Sequence, residues 1–233
     1  MNNPIQSIAQ TPTPKLEESM DFYGRLGFKT ISTEPIALVT DGKVVIQINP
    51  DRKARAGIKL YQKDWSEIVQ RLKPYTNVLE MEDGYVAADP SGVYLYLSEE
   101  PPPTFKGLAD QPAAKTGNFA GISIESLNFE KSLQFWQAVG YKITNGAADQ
   151  GWVSLSNGSS IDISIMTAGS CPHLFFNPSY TYFNGNNNPE VIRNIRDLGV
   201  QITEEITVFN QEGIVDNIII RDPGGFGFFL FSD

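Results

Sequence analysis

The chain has one cysteine and one histidine, Cys171 and His173, in 233 residues. A lone cysteine excludes an intrachain disulfide. A lone histidine excludes an iron centre of two histidines and a carboxylate built within the chain. A structural zinc site, which asks for several such ligands, is excluded with it. Positive charge is scarce as well: 18 Lys and Arg against 27 Asp and Glu leave a net charge of −9. Binding to a phosphate backbone needs a basic face, so nucleic acid is not an expected partner. A cationic ligand would be favoured by the same balance. No apolar run is long enough to cross a membrane, and Met1-Asn2-Asn3-Pro4 opens without the basic and apolar stretches of a signal peptide. The expectation is a cytoplasmic protein with no membrane partner. No serine-nucleophile elbow, phosphate-binding loop or dinucleotide fingerprint is present. Pro223-Gly224-Gly225-Phe226-Gly227 is glycine-rich, but it leads into a strand rather than a helix, which argues against phosphate cradling.

What the chain does have is a stretch that occurs twice. Leu16-Glu17-Glu18-Ser19-Met20-Asp21-Phe22-Tyr23-Gly24-Arg25-Leu26-Gly27-Phe28-Lys29 aligns without a gap with the segment from Phe129 to Lys142. The large apolar residues fall in register: Leu16, Met20, Tyr23 and Leu26 against Phe129, Leu133, Trp136 and Val139. That spacing makes one apolar stripe on a helix. Gly27 and Gly140 follow, suited to the left-handed residue that ends a helix. A repeat at fixed register means repeated architecture.

Around each copy the pattern is strand, helix, then three strands. Thr40-Asp41-Gly42-Lys43, Asp83-Gly84, Asp89-Pro90-Ser91-Gly92, Asn157-Gly158 and Asp222-Pro223-Gly224-Gly225 supply turns. Helices are expected over 65–72 and 189–198 as well, Pro189 suiting a first helical turn. Residues 99–117, with Pro101-Pro102-Pro103, read as a linker. The domains are then 1–98 and 118–233, each of two units. The offset between the copies grows between the helices and the Asp-Pro turns, which places extra length at 167–188.

This order of elements, with Phe22-Tyr23 and Phe135-Trp136 on the helices and Leu26-Gly27-Phe28 after the first, resembles the vicinal oxygen chelate superfamily: glyoxalases, bleomycin-resistance proteins and extradiol dioxygenases. The resemblance implies an α+β fold of four βαβββ modules, paired into two half-barrel domains whose concave faces hold ligands. Metal-dependent members carry ligands on the first strand of each module and a carboxylate on a last strand. The corresponding positions here are Ile8, Gly57, Tyr96, Gly121, Tyr180 and Phe229, and none is a ligand. A protein with no metal and no cofactor is therefore expected.

Alternation along strands assigns Ile8, Gln10, Gln47, Lys59, Tyr61, Tyr94, Tyr96 and Ser98 to the first cleft. It assigns Ser123, Glu125, Trp152, Ser154, Asp162, Ser164, Tyr180, Tyr182, Phe229 and Phe231 to the second. Asp162 interrupts Ile161, Ile163 and Ile165 and so points away from their core face. Aromatic walls with a few convergent polar groups are the form of small-molecule sites, and a carboxylate among rings suits a cationic or polyhydroxylated ligand.

The expected function is ligand binding without metal, as in the bleomycin-resistance branch. The ligand would sit in the second cleft on Trp152, Asp162, Tyr180, Tyr182, Glu125 and Phe229, with the extra length at 167–188 closing over it. Two alternatives stand beside it. One is a metal-independent lyase or isomerase using Asp162 or Glu125 as base and Tyr180 or Tyr182 as acid. The other is a structural or regulatory protein whose clefts are filled by side chains. His173 reads as a surface-loop residue.

Overall fold

A computed structural model describes residues 6–103 and 114–232. Most of the proposed linker, 104–113, and the amino-terminal residues 1–5 lie outside the described residues.

The first half runs β1 (Gln6–Pro12), α1 (Leu16–Arg25), β2 (Lys29–Ser32), β3 (Ala37–Thr40), β4 (Val45–Asn49), β5 (Gly57–Tyr61), α2 (Ser66–Leu72), β6 (Leu79–Met81), β7 (Gly84–Ala88) and β8 (Tyr94–Ser98). The second runs β9 (Phe119–Ser126), α3 (Phe129–Val139), β10 (Lys142–Ala147), β11 (Trp152–Ser156), β12 (Ile163–Thr167), β13 (Ser179–Phe183), α4 (Asn188–Asp197), β14 (Ile202–Ile206), β15 (Asn217–Arg221) and β16 (Gly227–Phe231). Each half forms an eight-stranded sheet, ordered β2-β3-β4-β1-β5-β8-β7-β6 and β10-β11-β12-β9-β13-β16-β15-β14. The first strands of the two modules, β1 with β5 and β9 with β13, pair antiparallel at the centre of each sheet. The architecture is the α+β arrangement of four βαβββ modules, paired first with second and third with fourth.

The repeat is repeated in its bonds. Ser19 Oγ donates to Thr13 Oγ1 at 2.7 Å, and the aligned Ser132 Oγ donates to Ser126 Oγ at 2.8 Å, tying each helix to the end of its leading strand. Gly140 takes φ 114° and closes α3, while Asn128 Oδ1 caps its start by accepting from Lys131 N. After each helix the chain turns back so that Phe28 N donates to Tyr23 O and Tyr141 N to Trp136 O.

One continuous buried core spans both sheets. Phe228 of β16 sits among Phe22, Tyr23 and Phe28 of the first half at ring separations of 5.8, 6.0 and 6.5 Å. The helix α2 packs on α3. Two buried polar contacts cross the same boundary in symmetric fashion. Tyr23 Oη donates to Asp222 Oδ2 at 2.9 Å, and Trp136 Nε1 donates to Asp89 Oδ2 at 3.2 Å. Each repeat helix thus reaches the Asp-Pro turn of the other half. Asp222 also accepts from Thr11 Oγ1 at 2.6 Å and Phe226 N at 2.7 Å, and Asp41 accepts from Tyr182 Oη at 3.0 Å.

Burial lifts the carboxyls of Asp222 and Asp41 above the usual range, against the hydrogen bonds, which pull the other way. A folded-state pKa above the unfolded one means that the group's stabilisation is complete below about 3.9, the ordinary Asp value, and is lost as pH rises through the folded value. Asp222→Asn removes that dependence, because Tyr and Thr hydroxyls can reorient toward an amide. Urea unfolding across pH 4 to 7 should show the variant gaining on the parent as pH rises. A constant difference between the two across that range would contradict this account.

Candidate functional site

In the first sheet Ala9, Ile46, Ile48, Ile58, Leu60, Leu95 and Leu97 join the central core. The opposite, concave face carries the residues that alternation assigns to it. One row across it is Ile8, Lys59, Tyr96, Val86 and Leu79, and the next is Gln47, Gln10, Gly57, Tyr94 and Ala88. Ile8, Leu38, Val45 and Tyr61 form a small apolar cluster at one side. Tyr94 and Tyr96 are half-buried, and Leu79 and Met81 beyond them are exposed, so the face opens toward β6.

The polar groups on this face are unequally satisfied. Lys59 is buried, and its Nζ lies 3.2 Å from the carboxylate of Asp83, itself 40% exposed, and 5.5 Å from the Tyr61 ring centroid. Burial first, then the nearby Glu100 and Asp83 carboxylates, push the Tyr61 hydroxyl pKa up and keep it protonated. Gln10 Nε2 donates to Arg55 O, and its Oε1 accepts from Asn49 Nδ2. Tyr96 Oη accepts from Arg55 N at 3.1 Å and donates to Arg55 O at 3.2 Å. Gln47 is only 7% exposed, and its buried Oε1 has no hydrogen-bond partner among the described residues. Tyr94 and Tyr96 stack at 6.2 Å, an aromatic wall on the same face, three strands along the row from Gln47. Ser98 Oγ is a second buried, unpartnered group of the first half.

The second concave face is covered around Phe229, on the side of β13 and β16. Phe229 is on it, as expected, but is 2% exposed. His173 and Phe175 lie on Phe229 at 5.2 and 4.9 Å, and His173 also lies 5.2 Å from Phe231. The segment that carries them, residues 168–178, is strapped down. Asn177 donates to Glu125 O and accepts from Glu125 N, Gly169 N donates to Glu125 Oε1, and Leu174 N donates to Glu204 Oε2. His173 is a half-buried loop residue, as the sequence suggests for its place in a loop, and it packs within an aromatic cluster.

Tyr180 and Tyr182 require a correction. Both are fully buried in the interdomain core, on the other face of β13. Tyr180 stacks on Phe226 at 3.9 Å, and Tyr182 bonds to Asp41. The register explains it: Tyr180 pairs with Phe228 and Tyr182 with Leu230, residues that face the helices, and residues paired across parallel strands share a face. Ser179 and Thr181 occupy the concave side, Thr181 Oγ1 bonding Ser123 Oγ at 2.6 Å. Trp152, 40% exposed, and the exposed Asp162 stand on the open face of the second sheet, and Glu125 is spent on the loop. The structure thus keeps Trp152, Asp162 and Glu125 on one side and sets both tyrosines on the other. The base and acid of the lyase or isomerase alternative do not meet.

The donor sets do not fit a divalent metal. The middle of the first face presents the aliphatic Ile8, the phenol of Tyr96 and the ammonium of Lys59, which repels a cation. The second presents Gly121, mutually bonded Ser123 and Thr181, and a covered Phe229. Among the described residues no three His, Cys, Asp or Glu side chains stand together.

A separate groove of about 1020 Å³ lies between α1 and the Gly199–Thr203 and Asp222–Gly225 turns. Of its acids, Glu18 and Asp21 are paired with Lys15 and Arg25, the Asp222 carboxylate beneath it is bonded, and Glu17 is exposed to solvent. Among the described residues it holds no buried unsatisfied polar group.

The fold is that of the two-domain vicinal oxygen chelate proteins. The chain is similar over 98% of its length to a halotolerant catechol dioxygenase (86% of that chain, 14% identity, TM-score 0.57). The same share matches a Mn(II)-bound glyoxalase from Novosphingobium aromaticivorans (81%, 16% identity, TM-score 0.57). It also matches a variant 4-hydroxymandelate synthase from Streptomyces coelicolor (92%, 12% identity, TM-score 0.59). No protein-family model matches the sequence, and no curated protein matches it significantly. No helix among the described residues is long and apolar enough to cross a membrane.

Asn177→Ala removes two hydrogen bonds to the Glu125 backbone, each worth about 0.5–1.5 kcal/mol. Limited proteolysis should then cut within residues 168–178 several-fold faster than in the parent. Equal rates would show that the aromatic contacts alone hold the loop.

Proposed function

We propose that the protein binds a small organic molecule on the concave face of its first half-barrel, without a metal. The observation that carries this reading is Gln47 Oε1, buried and unpartnered on the face that also bears the Tyr94–Tyr96 wall. A buried acceptor left unsatisfied costs about 1–3 kcal/mol, and a ligand hydroxyl or N–H would satisfy it. The polyhydroxylated ligand expected from the sequence suits this acceptor. We move the site from the second half-barrel to the first because His173 and Phe175 already cover Phe229. The acid-base pairing considered for catalysis is split between two faces, so binding is favoured over turnover. A purely structural role is the second reading, and the covered second face favours it for that half.

A thermal-shift screen with catechol, 4-hydroxymandelate and other hydroxylated aromatics tests the proposal, since a ligand of the folded state raises its apparent stability. Two of the fold neighbours, a catechol dioxygenase and a 4-hydroxymandelate synthase, are named for such compounds, which makes them first probes. Shifts of a few degrees at millimolar concentration are expected, lost in Gln47→Leu and Tyr94→Ala and kept in Trp152→Ala. Loss with Trp152→Ala and retention with Gln47→Leu would move the site back to the second half-barrel.

A further inference from the structure

We infer that the ligand is an organic anion, its charged group held at the mouth of the first half-barrel by the loop between β4 and β5. This rests on the first face being the binding face. In a chain of net charge −9, Arg52, Lys53 and Arg55 fall within four consecutive residues. All three are exposed, and none is in an ion pair among the described residues. The one acid of the loop, Asp51, spends Oδ1 on the backbone N–H of Lys53.

The loop is also fixed in place. Ala54 N donates to Asp51 O, and the Arg55 guanidinium donates to Arg52 O and Ala54 O. Tyr96 Oη holds both the N–H and the carbonyl of Arg55, and Gln10 holds the same carbonyl. The positive lip is therefore anchored to the row that contains Gln47, Gln10, Gly57 and Tyr94. Gly57 leaves that row without a side chain between Gln10 and Tyr94. A Cβ at Gly57 would meet Tyr94 O at 2.0 Å, so the gap is required by backbone packing.

The opposite end of the face is different in sign. There Lys59 is matched by Asp83, and Glu100 lies near Tyr61. An anion is favoured at one end only. In this reading a planar body lies against Tyr94, its donor group points along the row toward Gln47, and its carboxylate faces outward to Arg52 and Lys53.

The test uses 4-hydroxybenzoate and its neutral methyl ester with the full chain, followed by calorimetry or thermal shift. The acid should bind about tenfold or more tightly than the ester at low salt, and only the acid should weaken as salt rises past a Debye length of roughly 10 Å. Arg52→Gln/Lys53→Gln should reduce acid affinity to that of the ester and leave the melting temperature unchanged. Gln47→Leu should weaken both probes. Equal binding of acid and ester, both lost in Gln47→Leu, would overturn the anion inference and leave the binding face standing. Binding of both probes that ignores Gln47→Leu would overturn the face itself. No saturable binding of the acid at millimolar concentration would overturn the anion inference.

Discussion

The structure depends on a reciprocal contact between its halves. Tyr23 and Trp136 occupy the same position in the two repeat helices, and each donates to the Asp of the other half's Asp-Pro turn. The partners are far apart in sequence, 199 residues in one case and 47 in the other. The bonds are buried, so each carboxylate must be met there or left at a cost of several kcal/mol. Meeting it fixes the helix, the turn and the strands beside both. The consequence is directional. The helix-bearing faces of the two sheets are turned inward on a common aromatic core, and the concave faces are turned away from it.

Identical frames have been put to different use. In the second half the added length between β12 and β13 folds back over the sheet, and His173 and Phe175 pack on Phe229 of its concave face. Glu125, a candidate polar anchor, holds the loop instead. In the first half the corresponding connection is the short loop to β5, which reaches the edge of the face and stops. Its backbone is caught by Tyr96 and Gln10, leaving the Tyr94–Tyr96 wall half-buried rather than covered.

Much of the architecture is legible in the sequence because it follows from local periodicity. The aligned Leu16 and Phe129 stretches, the glycines after them and the Asp-Pro turns specify the modules and their order. Alternation also places Gln47, Lys59, Tyr94 and Tyr96 correctly, since β1, β4, β5 and β8 keep regular registers. It fails for Tyr180 and Tyr182, where two polar-tipped rings resemble cleft residues but pair with Phe228 and Leu230 on the core side. The Tyr182 hydroxyl tolerates burial because Asp41 of the other half accepts from it, and the Tyr180 ring is held by its stack on Phe226, its hydroxyl unpartnered. A partner such as Asp41 lies on another domain and leaves no local signal. The covering of the second face is hidden for the same reason: a loop's composition does not say whether it closes over a cavity or occupies it.

The unpaired Gln47 then acquires its meaning by contrast. Several other buried side chains of the first half are matched, Thr11 and Tyr23 with Asp222, Ser19 with Thr13, Trp65 with the carbonyl of Ser98, while Ser98 Oγ on the same face is left unpartnered like Gln47 Oε1. A leucine at position 47 would fill a similar volume with no penalty. An amide there weakens the empty protein, and it strengthens only a state in which something donates to it. The cost is about the size of one good hydrogen bond, enough to separate a ligand that carries a donor from one that does not by roughly tenfold or more. On the neighbouring row Lys59 adds a buried positive charge, so the groups this face offers a ligand under the proposed reading are a hydrogen-bond acceptor, aromatic rings and charge.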